Sequence, residues 1–261
     1  GMRTAPEILV TPDRCIECGA CVDACPHGLP SGIGGGWAAA KELCEACGLC
    51  ADACPTGARR LVGHEITVDG LVEQVLRDRV FYAESLGGVT FSGGEPLRQA
   101  EFVLSCLEAL KALGVHTAVD TCGLVERDDL LRAAAIADLF LYDIKHADPA
   151  SHAEWSGAPN GCILENLAAL AAVHDEIWVR VPVVPGVNDD AVNLRHTAAL
   201  AASLPGVRRV SLLPYHELGA EKRERVDVPG APFKGTSPGS DRMRDFAAIF
   251  EEAGLLTTIG G

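Results

Sequence analysis

Eight cysteines, arranged as two copies of one spacing, constrain this chain more than any other feature. Cys15-x2-Cys18-x2-Cys21-x3-Cys25-Pro26 is followed by Cys44-x2-Cys47-x2-Cys50-x3-Cys54-Pro55. Three thiolates at this spacing can wrap three corners of an iron–sulfur cubane, while the cysteine before proline turns away and reaches the other cluster. The spacing predicts two [4Fe–4S] clusters with crossed ligands. The first takes Cys15, Cys18, Cys21 and Cys54, and the second takes Cys44, Cys47, Cys50 and Cys25. The flanking residues repeat as such a crossed arrangement requires, residues 17–26 matching residues 46–55. Structural zinc also uses C-x2-C pairs, but it would leave the third cysteine and the proline-preceding fourth of each run without a reason.

A secreted disulfide scaffold would be short and would carry a leader. This chain has 261 residues, and Gly1-Met2-Arg3-Thr4 opens no apolar leader segment. Gly1 reads as a residue left by cloning, so the natural start is expected at Met2. A net charge of −14 argues against nucleic acid, whose phosphates would go unneutralised, and against anionic membrane surfaces. No apolar run approaches the ~18–20 residues of a membrane span. The expected setting is the cytoplasm.

The chain reads as two domains, 1–62 and 63–261. Residues 1–12 form a proline-containing lead, and 13–62 are cysteine-rich with a flexible glycine-rich stretch at 31–36. Beyond Ile66, apolar residues at three- and four-residue spacing predict helices over 69–82, 100–113, 127–137, 162–174, 190–203 and 241–253. Between them lie strand candidates at 88–91, 116–119, 139–142, 177–181 and 207–213. Five strands alternating with helices predict an α/β fold with a parallel sheet or barrel.

In such barrels the chemistry sits at the C-terminal ends of the strands. Those positions carry Ser92-Gly93-Gly94-Glu95-Pro96, then Asp120-Thr121-Cys122-Gly123, then Asp143-Ile144-Lys145-His146. The fourth strand carries Arg180 and runs into residues 183–189, and the fifth ends at Pro214-Tyr215-His216, with Lys222 beyond. Acids, a lysine, an arginine and a histidine on one rim suit a zwitterionic ligand bearing an amino group and a carboxylate. Gly93 and Gly94 would let backbone approach that ligand closely, with Glu95 taking a cation.

With these residues in view, the chain resembles the activating enzymes of glycyl radical enzymes, a branch of the radical S-adenosylmethionine (SAM) superfamily related to pyruvate formate-lyase activating enzyme. The resemblance spans essentially the whole length. It rests on Phe81-Tyr82, on 87–97, on Asp120 to Gly123, on Asp143 to His146, on Ser156-Gly157 with 163–166, on Arg180 with Val184-Pro185-Gly186, and on Leu213 to His216. It implies a partial (β/α) barrel with a small inserted ferredoxin-like two-cluster domain. It also implies cleavage of SAM to a 5′-deoxyadenosyl radical, which takes hydrogen from a backbone glycine of a partner enzyme. Ser92, Gly93, Gly94, Glu95, Asp120, Lys145, Arg180 and His216 would then surround SAM, with Asp143 and Lys145 beside the reacting centre. The two clusters would relay electrons from flavodoxin or a ferredoxin.

The family's third [4Fe–4S] cluster, bound by C-x3-C-x2-C and chelated by SAM, has no counterpart among the eleven cysteines. The first barrel strand is missing with it, so five strands are expected, with an unpaired edge. Such a chain would bind SAM weakly and not cleave it as given, the third cluster belonging to a longer form. The alternative is a non-enzymatic electron carrier or a docking module for a glycyl radical enzyme. Cys106 and Cys162 are expected to pack as small apolar residues.

Overall fold

The computed structural model describes residues 5–29, 43–216 and 235–260; the stretch 31–36 and Lys222 lie outside the described residues. The chain forms two compact units, with the change falling between Ile66 and Thr67. No helix among the described residues is long and apolar enough to cross a membrane.

In the cysteine-rich unit, helices Ala20–Asp23 and Leu49–Asp52 follow the second cysteine of each run. Each is entered through a left-handed glycine, Gly19 at φ 80° and Gly48 at φ 86°. Other residues are strained there, which explains a glycine after the second cysteine in both copies. Strand β1 (Glu7–Val10) pairs antiparallel with β2 (Arg59–Val62). The segment read as a lead thus contains a strand. Its partner lies beyond both cysteine runs, and four residues are too few to show a period. The apolar core of this unit centres on Ile8, with Val10, Leu29, Cys44, Cys50 and Ala51 packed around it.

In the other unit, six parallel strands lie in chain order: β3 (Gly88–Phe91), β4 (His116–Thr121), β5 (Leu139–Asp143), β6 (Ile177–Val183), β7 (Val207–Pro214) and β8 (Thr257–Ile259). Such winding is that of a partial barrel. Helices Ala100–Ala112, Arg127–Ala134, Gly161–Ala171, Ala191–Ala202 and Ser240–Glu252 join them. The expected count of five strands is corrected to six. The added strand, Thr257–Ile259, is three residues long and is recruited by pairing with Val210–Leu212. At the other end of the sheet β3 is an edge strand among the described residues.

The helix read over 69–82 is two helices, Val68–Leu76 and Arg79–Ser85. At the break, the N–H groups of Arg77 and Asp78 turn to carbonyls three residues back, the tightening that ends an α-helix. Helix Pro149–Ser156 escaped the periodicity because His152 is its one buried residue. Its punctuation is conventional: Asp148 caps the N–H of Ser151 at 2.8 Å, and Gly157 closes the helix at φ 84°.

Along β6 every second residue is buried: Ile177, Val179, Val181 and Val183. They join Phe140 and Tyr142 of β5 and helix residues such as Leu107, Leu167 and Leu194 in one core. Arg180 falls on the opposite face, in register with Asp143. Strand alternation thereby separates the packing face from the face that carries charge.

Candidate functional site: two cysteine cradles and a charged strand-end rim

The eight motif cysteines sort into two cavities. One, of about 240 Å³, is lined by Cys15, Cys18, Cys21 and Cys54. The other, narrower at about 20 Å³, is lined by Cys25, Cys44, Cys47 and Cys50, with Cys21 at its border. The two runs also match in backbone detail. The N–H of Glu17 donates to Cys15 Sγ at 3.3 Å, and that of Ala46 donates to Cys44 Sγ at 3.4 Å. Both donors hold left-handed backbones, at φ 54° and 52°, which is uncommon away from glycine.

Burial alone would raise the Cys54 thiol. It is outweighed by N–H groups of Arg59, Thr56 and Ala58 and the Thr56 hydroxyl, which bring the thiol down to about 7. Burial pushes Cys50 up, opposed by the Arg59 guanidinium. Among the described residues, no three His, Cys, Asp or Glu side chains converge on a point that one metal ion could occupy. In a [4Fe–4S] cubane each thiolate binds a different iron, so its four sulfurs need not converge on one point.

On the barrel, strand register assembles the rim. Arg180 Nε donates to Asp143 Oδ1 at 2.8 Å, and its guanidinium also pairs with Asp120. Ser92 Oγ donates to the other oxygen of Asp120 at 2.8 Å. Four strands thus contribute to one network. Burial raises Asp143 above the usual carboxylate range even with Arg180 beside it. Gly93, Gly94, Lys145 and His216 are exposed at the same ends of their strands.

Glu95, expected to take a cation, is 7% exposed and committed to the protein. Its Oε2 accepts from Thr121 Oγ1 and the Cys122 N–H, both at 2.9 Å, and its Oε1 accepts from the Leu97 N–H at 3.2 Å. It therefore ties the 92–97 loop to the end of β4. Gly123 is needed where it stands: at φ 73°, a Cβ there would lie 1.7 Å from Tyr142 Oη.

An asparagine network went unread in the sequence. Asn188 Nδ2 donates to the carbonyls of Lys145 at 2.7 Å and Pro182 at 2.6 Å, and its Oδ1 accepts from the Val184 N–H at 2.7 Å. Asn193 Oδ1 accepts from the Ala147 N–H at 2.9 Å, and Asn160 Nδ2 donates to the His146 carbonyl at 2.8 Å. Together they hold the loops after β5 and β6. The one visible signal was Asn188 following the Pro185-Gly186 turn. Of the remaining cysteines, Cys106 is fully buried as expected, whereas Cys162 is exposed at the start of its helix, contrary to its expected packing. Asn166 Nδ2 lies 3.6 Å from that sulfur.

A partial parallel barrel with a charged strand-end rim, joined in one chain to a two-run cysteine unit, is the architecture of a radical SAM enzyme with a ferredoxin-type module. Residues 45–198 match the Radical SAM superfamily, and residues 8–31 match the 4Fe-4S binding domain. A trans-4-hydroxy-L-proline dehydratase activating enzyme of Clostridioides difficile is 38% identical over 98% of this chain and 85% of its own length. A choline trimethylamine-lyase activating enzyme of Oleidesulfovibrio alaskensis is 39% identical over 84% of this chain and 73% of its own. A solved domain of a pyruvate-formate lyase-activating enzyme from Bacteroides vulgatus superposes with a TM-score of 0.57 at 33% identity, covering 67% of this chain and 99% of that domain. The chain belongs to the glycyl radical enzyme activating enzymes of the radical SAM superfamily.

Proposed function

We propose that the cysteine-rich unit holds two [4Fe–4S] clusters in the crossed sets, and that the barrel rim binds SAM. Together with a C-x3-C-x2-C cluster, which these 261 residues do not contain, they would serve to generate a radical on a backbone glycine of a partner glycyl radical enzyme. The observation that carries this reading is the sorting of the cysteines: Cys54 lines a cavity with Cys15, Cys18 and Cys21, and Cys25 lines one with Cys44, Cys47 and Cys50.

SAM, when bound and reduced, supplies the hydrogen-abstracting chemistry. Toward it, the main chain of Gly93-Gly94 offers close polar contact with the amino end, and Ser92 and Asp120 flank that contact. Lys145 and His216 present exposed polar groups to the ligand's carboxylate and nucleoside portions. Arg180 neutralises Asp120 and Asp143 so that two carboxylates can share the rim. The bonds held by Glu95 support a positioning part for it, acting through the 92–97 loop. Flavodoxin or a ferredoxin is the electron donor in this reading, and the setting is the cytoplasm. The relatives serve different partners at nearly the same identity, 38% and 39%, so the reading commits to a glycyl radical enzyme as a class.

The crossed sets have a direct test. The double variant Cys15→Ala with Cys54→Ala removes two ligands of one crossed set, so about half of the iron and one reduced-cluster paramagnetic signal should remain. Damage to both clusters would show that each run binds its own cluster and would overturn the crossed assignment. A second test concerns SAM. The 261 residues contain no C-x3-C-x2-C, so this polypeptide by itself, reconstituted and reduced, is expected to release no 5′-deoxyadenosine, and release would refute the expectation.

A further inference from the structure

The turn that follows β6 is held from two sides. On one side Asn188 bonds the Lys145 carbonyl. On the other, Asp189 Oδ1 accepts from the Gly186 N–H at 2.7 Å, and its Oδ2 pairs with Arg242 Nη2 at 2.7 Å. Asp189 is only 8% exposed. Arg242 lies in the first turn of helix Ser240–Glu252, which follows β7 and carries none of the rim residues. Its guanidinium stands 5.3 Å above the Phe246 ring, one helical turn further on.

A carboxylate this buried is costly unless a cation stands beside it. Gly186, at φ 73°, supplies a hydrogen bond but no charge, and among the described residues Arg242 is the cation paired with Asp189. A half-exposed arginine spends rotamer freedom to form a fixed pair. The Phe246 ring limits that loss by giving the guanidinium a face to rest on. The pair closes one end of the 184–189 turn. Asn188 belongs to the same turn, where its Oδ1 accepts from the Val184 N–H at 2.7 Å, so its reach to Lys145 depends on the turn keeping its shape. Arg242, Asp189, Asn188 and Lys145 thus form one chain of contacts from the last helix to the loop after β5.

We propose that Arg242 is a positioning residue for Lys145, acting through Asp189 and Asn188 from outside the rim. Its bearing on SAM rests on the rim reading above. The turn takes its set shape only when helix Ser240–Glu252 is docked, so the geometry of the rim depends on a helix that lies outside it.

The test reads three quantities on the full chain: hydrogen exchange at residues 145–148 and 184–189, the dissociation constant for SAM by equilibrium dialysis, and the urea midpoint. Arg242→Met should speed exchange in both segments and weaken SAM binding about two- to thirtyfold, whereas Arg242→Lys should stay near wild type. In an Asn188→Ala background, Arg242→Met should alter neither exchange at 145–148 nor SAM binding any further, a result that a general loss of stability would not produce. Should Arg242→Met lower the urea midpoint enough to populate unfolded chain, Asp189→Asn takes its place, because the asparagine oxygen still accepts from Gly186 while the charge pair is lost. Unchanged exchange at 145–148, effects that add to those of Asn188→Ala, or a lysine variant as loose as the methionine one would each overturn the proposal. Wild type that binds no SAM would fail the rim reading separately, and exchange alone would then decide whether Arg242 holds the loop of Lys145.

Discussion

The cysteine-rich unit and the barrel both hold reactive groups in place, and they do so by opposite means. In the cysteine-rich unit the shape of each run follows from features a few residues away: a left-handed glycine after the second cysteine, a helix of four residues, an N–H turned onto a sulfur. Among the described residues its apolar core centres on Ile8. The barrel has an extended core, with Phe140, Leu107, Leu167 and Val179 fully buried. Its rim joins Ser92, Asp120, Asp143 and Arg180, which only strand register brings together. A cradle for clusters can be written locally, because a bound cluster would complete the fold. A charge network cannot, since it needs a scaffold that stands without its ligand.

The largest expected effect tests that contrast outright. Removing iron with a chelator under reducing conditions should expose the cysteine-rich unit to hydrogen exchange and proteolysis, while the barrel keeps its protection and its cooperative unfolding. Equal protection of both units in the iron-free chain would end the comparison.

Next comes Arg180→Met, which leaves Asp120 and Asp143 facing each other without their cation. Breaking a largely buried pair costs about 3 kcal/mol, read as a lowered urea midpoint for barrel unfolding. Adding Asp143→Asn should recover part of that loss. A midpoint unchanged by Arg180→Met would show that the network contributes no stability.

Asn188→Ala should cost somewhat less, about 2 kcal/mol, because it orphans the Lys145 and Pro182 carbonyls and the Val184 N–H. Denaturant unfolding measures the loss. If the asparagine holds the loop that carries Lys145, SAM affinity should fall in the same variant.

The smallest effect is a pH dependence in the barrel alone. Burial lowers His174 below the ordinary histidine value, and its ring meets Phe140 edge-on at 5.0 Å. Below about pH 6.5 the unfolded chain binds a proton that the folded chain refuses, so stability falls with pH until the depressed folded value is passed. His174→Gln should flatten that part of the curve, measured as the thermal midpoint between pH 7.5 and 5.5. An identical slope in the variant would assign the dependence to other groups.

The residues themselves explain which features could be read ahead of the structure. The two cysteine runs were legible because the spacing within each run is a local property, and the central strands were legible because β6 buries every second residue over its length. Strands β1 and β8 were not, since four and three residues carry no period and exist only through their partners. The break at Arg77-Asp78 and the weakly apolar helix Pro149–Ser156 were lost for a related reason, each departing from the 3.6-residue rhythm.

By itself, then, the order of amino acids determined the two-unit plan, the two repeated cysteine runs, and the candidate residues at the strand ends. Tertiary structure alone decided what those residues do to one another. It turned Glu95 from an outward-facing acid into the tie between two loops and joined Arg180 to two carboxylates. It set Asn188 under Lys145 and drew Arg242 onto Asp189. Spacing along a chain specifies which side chains can share a face, whereas charge pairing and burial depend on strands whose register is settled only when the core packs.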